Sequence, residues 1–194
     1  MRLANLAGRA VLLQGERALD VERASQGRFG ADPMGPWQDW AAFTDWAAGA
    51  DFAQAEEYEA TDLGAPVPAP RQVFAIGLNY RDHAAEADLD IPENLVVFTK
   101  FQSSLAGPQA DVPVAGDTVD YEAELVVVVG EEIHDVDEDR ALAAVAGYAV
   151  GQDYSERTVQ RRPPAPQFSL GKSFPNFGPF GPAVVTPDEL DDPD

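Results

Sequence analysis

Cysteine is absent from the 194 residues, and lysine occurs only at Lys100 and Lys172. The first absence removes disulfides, thiol nucleophiles and thiolate metal sites together. Nothing in the chain therefore requires an oxidising compartment, and a cytoplasmic location is expected. The second leaves positive charge to arginine. With a formal net charge of −21 and a pI near 4.1, the chain is not expected to hold a nucleic-acid backbone or an anionic membrane surface. Such acidity fits adaptation to high salt and equally an arginine-rich, lysine-poor proteome, and it concerns solubility rather than chemistry. Histidine is scarce too, at His83 and His134 alone. No apolar run approaches membrane-spanning length, and MRLANLAGRAVLL, broken by Gly8 and Arg9, does not read as a signal peptide.

With 45% hydrophobic residues, there is enough apolar material for one sizeable core, or for a small domain attached to a larger one. Residues 1–64 alternate short apolar segments with turns and then place Trp37, Trp40, Phe43 and Ala47 at helical spacing, which predicts a small α+β unit whose aromatic stripe is packing surface. Residues 65–72, with three prolines, read as a linker, and a second unit is expected over 73–194. It should open with a buried strand, QVFAIGLNY, and a short helix capped by Asn79, on which His83 and Glu86 share one face. LVVFTKF predicts another strand, DVDEDRALAAVAGY a helix running into a strand, SERTVQRR a helix, and PPAPQFSLGKSFPNFGPFGP an apolar loop around Lys172. The acidic turn PDELDDPD reads as the start of a further segment, so the chain is expected to be C-terminally incomplete.

Chemistry concentrates in DYEAELVVVVG. Glu122 and Glu124 lie two apart at the head of a β-branched run, so on a strand both carboxylates point one way. The apolar continuation predicts a buried strand, and two buried like charges require a counter-ion. Asp153 closes another apolar run and is the expected third oxygen ligand. Three carboxylates without cysteine describe a site for Mg²⁺ or Mn²⁺. The alternative is a solvent-facing strand edge that happens to carry acids. His83 alone reads as a partly buried structural histidine, but one oriented by a carboxylate, as Glu86 would orient it, can stay neutral near pH 7 with one nitrogen free to take a proton from water. His134, in an acidic turn, reads as a surface residue. Arg157 and Gln160 follow Asp153 near one helical face, with capping and packing as their simpler roles.

Taken in order, RLANLAGRAVLL, GLNYRDHAAE, FTKFQSSLAGP, VDYEAELVVVVG, GYAVGQDYSERTVQ and FSLGKSFPNFGPFGP resemble the fumarylacetoacetate hydrolase family over nearly the whole chain. The resemblance implies an α+β, β-rich fold, with a mixed β-sandwich roll as catalytic domain behind a small N-terminal α+β domain. It implies Glu122, Glu124 and Asp153 as ligands of one Mg²⁺ or Mn²⁺ ion. His83 and Glu86 become the dyad that activates water, and Lys172 and Gln160 become contacts to the substrate or its developing charge. Gln152 stands where many relatives have Asn, and the Gly-Thr-Pro segment of the family is not in the sequence. The implied activity is hydrolysis of a C–C bond in a 2,4-dioxo acid such as an acylpyruvate or fumarylpyruvate, by a homodimer. An oxo-acid isomerase, decarboxylase or hydratase is the alternative within the family, and an inactive fragment or binding protein the alternative outside it.

Overall fold

The computed structural model describes residues 1–86 and 90–190, with the side chains of residues 83, 84 and 86 outside the description. The first strands are β1 (Arg2–Leu6), β2 (Arg9–Gln14) and β3 (Arg17–Asp20), an antiparallel meander turned at Ala7–Gly8 and at Gly15, where φ is positive. Period-two alternation gives this meander two buried faces. Leu3, Ala10, Leu12 and Leu19 point into one cluster, and Ala4, Val11, Leu13 and Ala18 into another. A strand covered on both sides reads as a continuous apolar run, as RAVLLQ does.

Helix α1 (Val21–Ala24) is capped by Asp20, and α2 (Trp40–Ala47) by Asp39. The expected helical stripe is thus split, because Asp39 at φ −148° leaves the helical region and separates a short 3₁₀ turn, Pro36–Gln38, from α2. Its aromatic residues still pack as expected. Phe43 is wholly buried, and Trp37 stacks on Trp40 with ring centroids 4.6 Å apart.

The remaining elements are β4 (Glu56–Glu57), β5 (Leu63–Gly64), β6 (Phe74–Gly77), α3 (Arg81–Glu86), β7 (Val96–Thr99), β8 (Leu105–Ala106), β9 (Val119–Asp120), β10 (Ala123–Val129), α4 (Glu138–Ala143), β11 (Val145–Gln152), β12 (Ser155–Glu156), α5 (Arg157–Gln160), α6 (Phe168–Gly171) and β13 (Gly178–Val185). A nine-stranded sheet runs β10-β11-β13-β1-β2-β3-β4, with β5 on β1 and β8 on β13. It is an open, β-rich sheet among the described residues, and helices are few and short. Two small sheets, β6–β7 and β9–β12, complete the fold. Strand β1 pairs with β13, Leu3 opposite Val184, so the main sheet takes strands from both sides of residues 65–72. Within that segment Ala65, Pro66 and Val67 are buried, and Ala65 and Val67 pack with Ala149, Phe180 and Val184.

Several local expectations are corrected. Strands β6 and β10 are not buried. Both alternate, and Phe74, Leu125, Val127 and Val129 are exposed. Strand β10 ends the sheet, pairs with β11 among the described residues, and is covered on one face only. The loop around Lys172 contains α6 and the first part of β13, whose Pro182 falls where the register against β11 shifts and whose Pro179 lies opposite Ala106 of β8. Helix α3 begins at Arg81, two residues beyond Asn79, after a turn in which Leu78 has φ +53°.

Candidate active site

The site is assembled by the ends of elements. Glu122 stands just before β10 and Glu124 within it, on the same side of the chain as half-buried Val126 and Val128. Antiparallel pairing sets Ala123 against Gln152, so the residue after β11, Asp153, arrives beside Glu122, whose carbonyl accepts from the Asp153 N–H at 2.9 Å. Asp153 is buried. Lysine 172 caps the C-terminal end of α6, and α6 lies so close to α5 that a Cβ on Gly171 would meet the Gln160 backbone at 2.6 Å. Only glycine permits that approach, and it brings Lys172 onto the carboxylates.

The Lys172 ammonium is 3% exposed and donates to Glu122 Oε2 at 2.7 Å, Asp153 Oδ2 at 2.8 Å and Ser155 Oγ at 2.7 Å. It also lies 5.4 Å from the centre of the Phe98 ring, a cation–π contact. Lys100, just past β7, pairs with Asp153 Oδ1 at 2.6 Å and donates to the Lys172 carbonyl. Arg157 closes the other side, with Nη2 2.6 Å from Asp120 Oδ2 and 2.7 Å from Glu122 Oε1, and Nη1 donating to Gln160 Oε1 at 3.0 Å. Every oxygen of Glu122 and Asp153 thus meets a cation. Glu124 makes no ion pair among the described residues.

Burial raises the pKa of Glu122, but the Lys172 and Arg157 hydrogen bonds and charges outweigh it and hold the carboxyl below the ordinary range. Glu124 moves the other way. Desolvation pushes it up, and the charges of Glu122 and Asp153 add to the rise. For Lys100, desolvation outweighs the attraction of Asp153 and lowers the pKa.

Lys100, Glu122, Glu124, Asp153, Arg157, Gln160 and Lys172 line a cleft of about 2130 Å³ whose walls include Phe98, Val126, Val128 and Phe180. Leu78, Asn79 and Tyr80, which lead into α3, line it as well. Both His83 and Glu86 belong to α3, and their side chains lie outside the described residues. His134 is exposed, as expected. Gln160 is buried and faces Arg157. Sequence reasoning missed Lys100 as a site residue and the Arg157–Asp120 pair; in the structure both lysines of the chain meet on Asp153.

The three carboxylates suit a hard divalent cation in donor type. Among the described residues no three such side chains already close around a common point, and Lys172 lies between two of them. The donor set fits the ion provided that Lys172 yields its place.

Residues 72–194 match the family profile described as fumarylacetoacetate (FAA) hydrolase C-terminal. The chain belongs to the fumarylacetoacetate hydrolase family. A solved structure described as that of an HpcE protein from Mycobacterium smegmatis is 52% identical, with a TM-score of 0.91, covering 100% of this chain and 69% of that one. Maleylpyruvate hydrolase from Sphingobium sp. SYK-6, solved with manganese(II) and pyruvate, is 26% identical with a TM-score of 0.70, covering 100% of this chain and 70% of its own. Among sequences, fumarylacetoacetate hydrolase domain-containing protein 2 homolog of Dictyostelium discoideum is 45% identical over 134 residues, 68% of this chain and 44% of that protein. The chain thus spans about half the length of such relatives. No helix among the described residues is long and apolar enough to cross a membrane.

Proposed function

We propose that the protein is a metal-dependent hydrolase that cleaves a C–C bond in a 2,4-dioxo acid of the acylpyruvate type, working as a cytoplasmic homodimer. The observation that carries this reading is that Glu122, Glu124 and Asp153 line one cleft together with Lys172, which bridges Glu122 and Asp153. Glu122, Glu124 and Asp153 would hold one Mg²⁺ or Mn²⁺, which when bound supplies Lewis-acid stabilisation of negative charge. Support comes from the manganese and pyruvate of the maleylpyruvate hydrolase, since pyruvate is what an acylpyruvate releases.

The chain's own residues divide the remaining work. The Lys172 ammonium binds the anionic end of the substrate or the oxyanion that forms when water adds to the 4-carbonyl. Arg157, braced by Asp120, fixes Glu122, and Gln160 orients substrate oxygens from α5. His83, backed by Glu86, takes the proton from the attacking water at its free ring nitrogen. The apolar walls at Phe98, Val126 and Val128 keep bulk water from the reacting carbons.

The test is pyruvate release from a panel of acylpyruvates with Mn²⁺, beside the Glu122→Ala and His83→Ala variants. Glu122→Ala should lose Mn²⁺ binding and turnover together, whereas His83→Ala should keep Mn²⁺ and lose hydrolysis. Substrate conversion without pyruvate would move the assignment to an isomerase or decarboxylase. Retained hydrolysis in His83→Ala would remove the base.

A further inference from the structure

We propose that Lys172 is an exchangeable counter-ion: in the metal-free protein its ammonium neutralises Glu122 and Asp153, and a divalent cation displaces it from both and frees it for the substrate anion. The inference rests on the metal-dependent reading above and adds to it a linkage between metal occupancy and the availability of one side chain.

The first support is donor counting. An ammonium has three N–H donors, and those of Lys172 are matched by Glu122 Oε2, Asp153 Oδ2 and Ser155 Oγ, all at 2.7–2.8 Å. No donor is left for an incoming carboxylate or oxyanion. Two of the three acceptors are carboxylate oxygens of the proposed ligands. Once a dication holds those carboxylates, like-charge repulsion opposes an ammonium at the same oxygens.

The second support is the asymmetry among the three cations. Lys100 and Arg157 hold the opposite oxygens, Asp153 Oδ1 and Glu122 Oε1, and each has an anchor of its own. Lys100 donates to the Lys172 carbonyl, and Arg157 is tied to Asp120 and Gln160. They can keep both carboxylates in place while Lys172 leaves. Lys172 has a place to go, because Phe98, whose ring it already approaches at 5.4 Å, lines the cleft with it.

The third support is charge balance. Asp120, Glu122, Glu124 and Asp153 face Lys100, Arg157 and Lys172, which leaves one uncompensated negative charge, with Glu124 the carboxylate lacking an ion pair among the described residues. Adding a dication turns the balance to one positive charge and thereby suits an anionic substrate. Cation and substrate should therefore bind in that order.

The experiment uses Mn²⁺ as probe, with free ion followed by electron spin resonance, on the unmodified chain and on Lys172→Met. In parallel, amine acetylation of the unmodified chain is mapped by mass spectrometry with and without Mn²⁺, a clean readout because the chain has two lysines. We expect Lys172→Met to bind Mn²⁺ at least about tenfold tighter, and Lys172 acetylation to rise severalfold with Mn²⁺ while Lys100 stays protected. Mn²⁺ binding with Lys172 acetylation unchanged overturns the exchange and leaves the metal-dependent reading standing. Absence of Mn²⁺ binding in both proteins overturns that reading and the exchange with it. Should Lys172→Met fail to fold, the acetylation result on the unmodified chain decides alone.

Discussion

Two buried regions of this molecule are held together by opposite means. Under the meander, Leu3, Leu12, Leu19, Val21 and Phe43 form a wholly apolar cluster, with Phe29 meeting Phe43 edge-on at 5.2 Å. At the far end of the same sheet, Lys100, Glu122, Asp153, Arg157 and Lys172 are packed almost as closely with full charges. The first region is stabilised by removing apolar area from water. The second must offset a desolvation cost of several kcal/mol per ion by pairing, so its net contribution to folding is small or negative. A protein that assembles such a cluster without a gain in stability keeps it for chemistry.

The comparison predicts different responses to truncation. The largest loss of stability should follow Phe43→Ala, about 4 kcal/mol, read by denaturant melting. Asp153→Ala should cost about 3 kcal/mol, because buried Lys100 then loses its carboxylate partner while Lys172 keeps Glu122 alone. Adding Lys100→Met to that variant should restore part of the loss, whereas no second truncation near Phe43 should do so. If the double variant is no more stable than Asp153→Ala alone, the ionic account of this end fails. Glu124→Gln should act in the opposite sense. It relieves a carboxylate whose pKa is raised, and should lift the metal-free melting temperature by about 2–4 °C for each kcal/mol released while weakening Mn²⁺ binding. The smallest effect belongs to Asp39→Ala, the N-cap of α2, at about 1 kcal/mol with no change in Mn²⁺ affinity.

Acid separates the regions as well. Glu122 and Asp120 have folded pKa values below their unfolded ones, so the stability they contribute is present above the ordinary carboxylate value and lost as pH falls through their folded values. Glu124 has the reverse sign and contributes a gain as pH falls through its raised value. Stability measured against pH should therefore fall more gently in the unmodified chain than in Glu124→Gln, where the gain is removed.

The sequence shows most of the acidic half of this site and little of the basic half. Glu122 and Glu124 are legible because strand periodicity acts locally, and Asp153 because it closes an apolar run. Lys100 is not, since FTKF says only that a strand ends there, and its partner lies fifty-three residues away. The Arg157–Asp120 pair depends on β9 meeting β12, a pairing no local pattern encodes. The valine run of β10 suggested burial on both faces, and the sheet order rather than the composition decides that one face is open. The family resemblance was legible because several motifs occur in order, and the profile match over residues 72–194 bears it out.

Strand β1 has one neighbour supplied at once and another supplied last. Its partner β2 follows after a two-residue turn, whereas β13 sets Val184 against Leu3 across almost the full length of the chain. During synthesis the meander therefore completes one edge of β1 early, β5 then pairs Asn5 and Leu6 on the other, and Arg2 and Leu3 stay open there until β13 emerges. Contacts of such sequence separation form slowly. Amides that pair β1 with β2 should gain hydrogen-exchange protection before those that pair β1 with β13, and simultaneous protection would refute this order. The half-built sheet, with the first residues of β1 unpaired along one side, is the state in which a nascent chain is most open to pairing with the wrong strand.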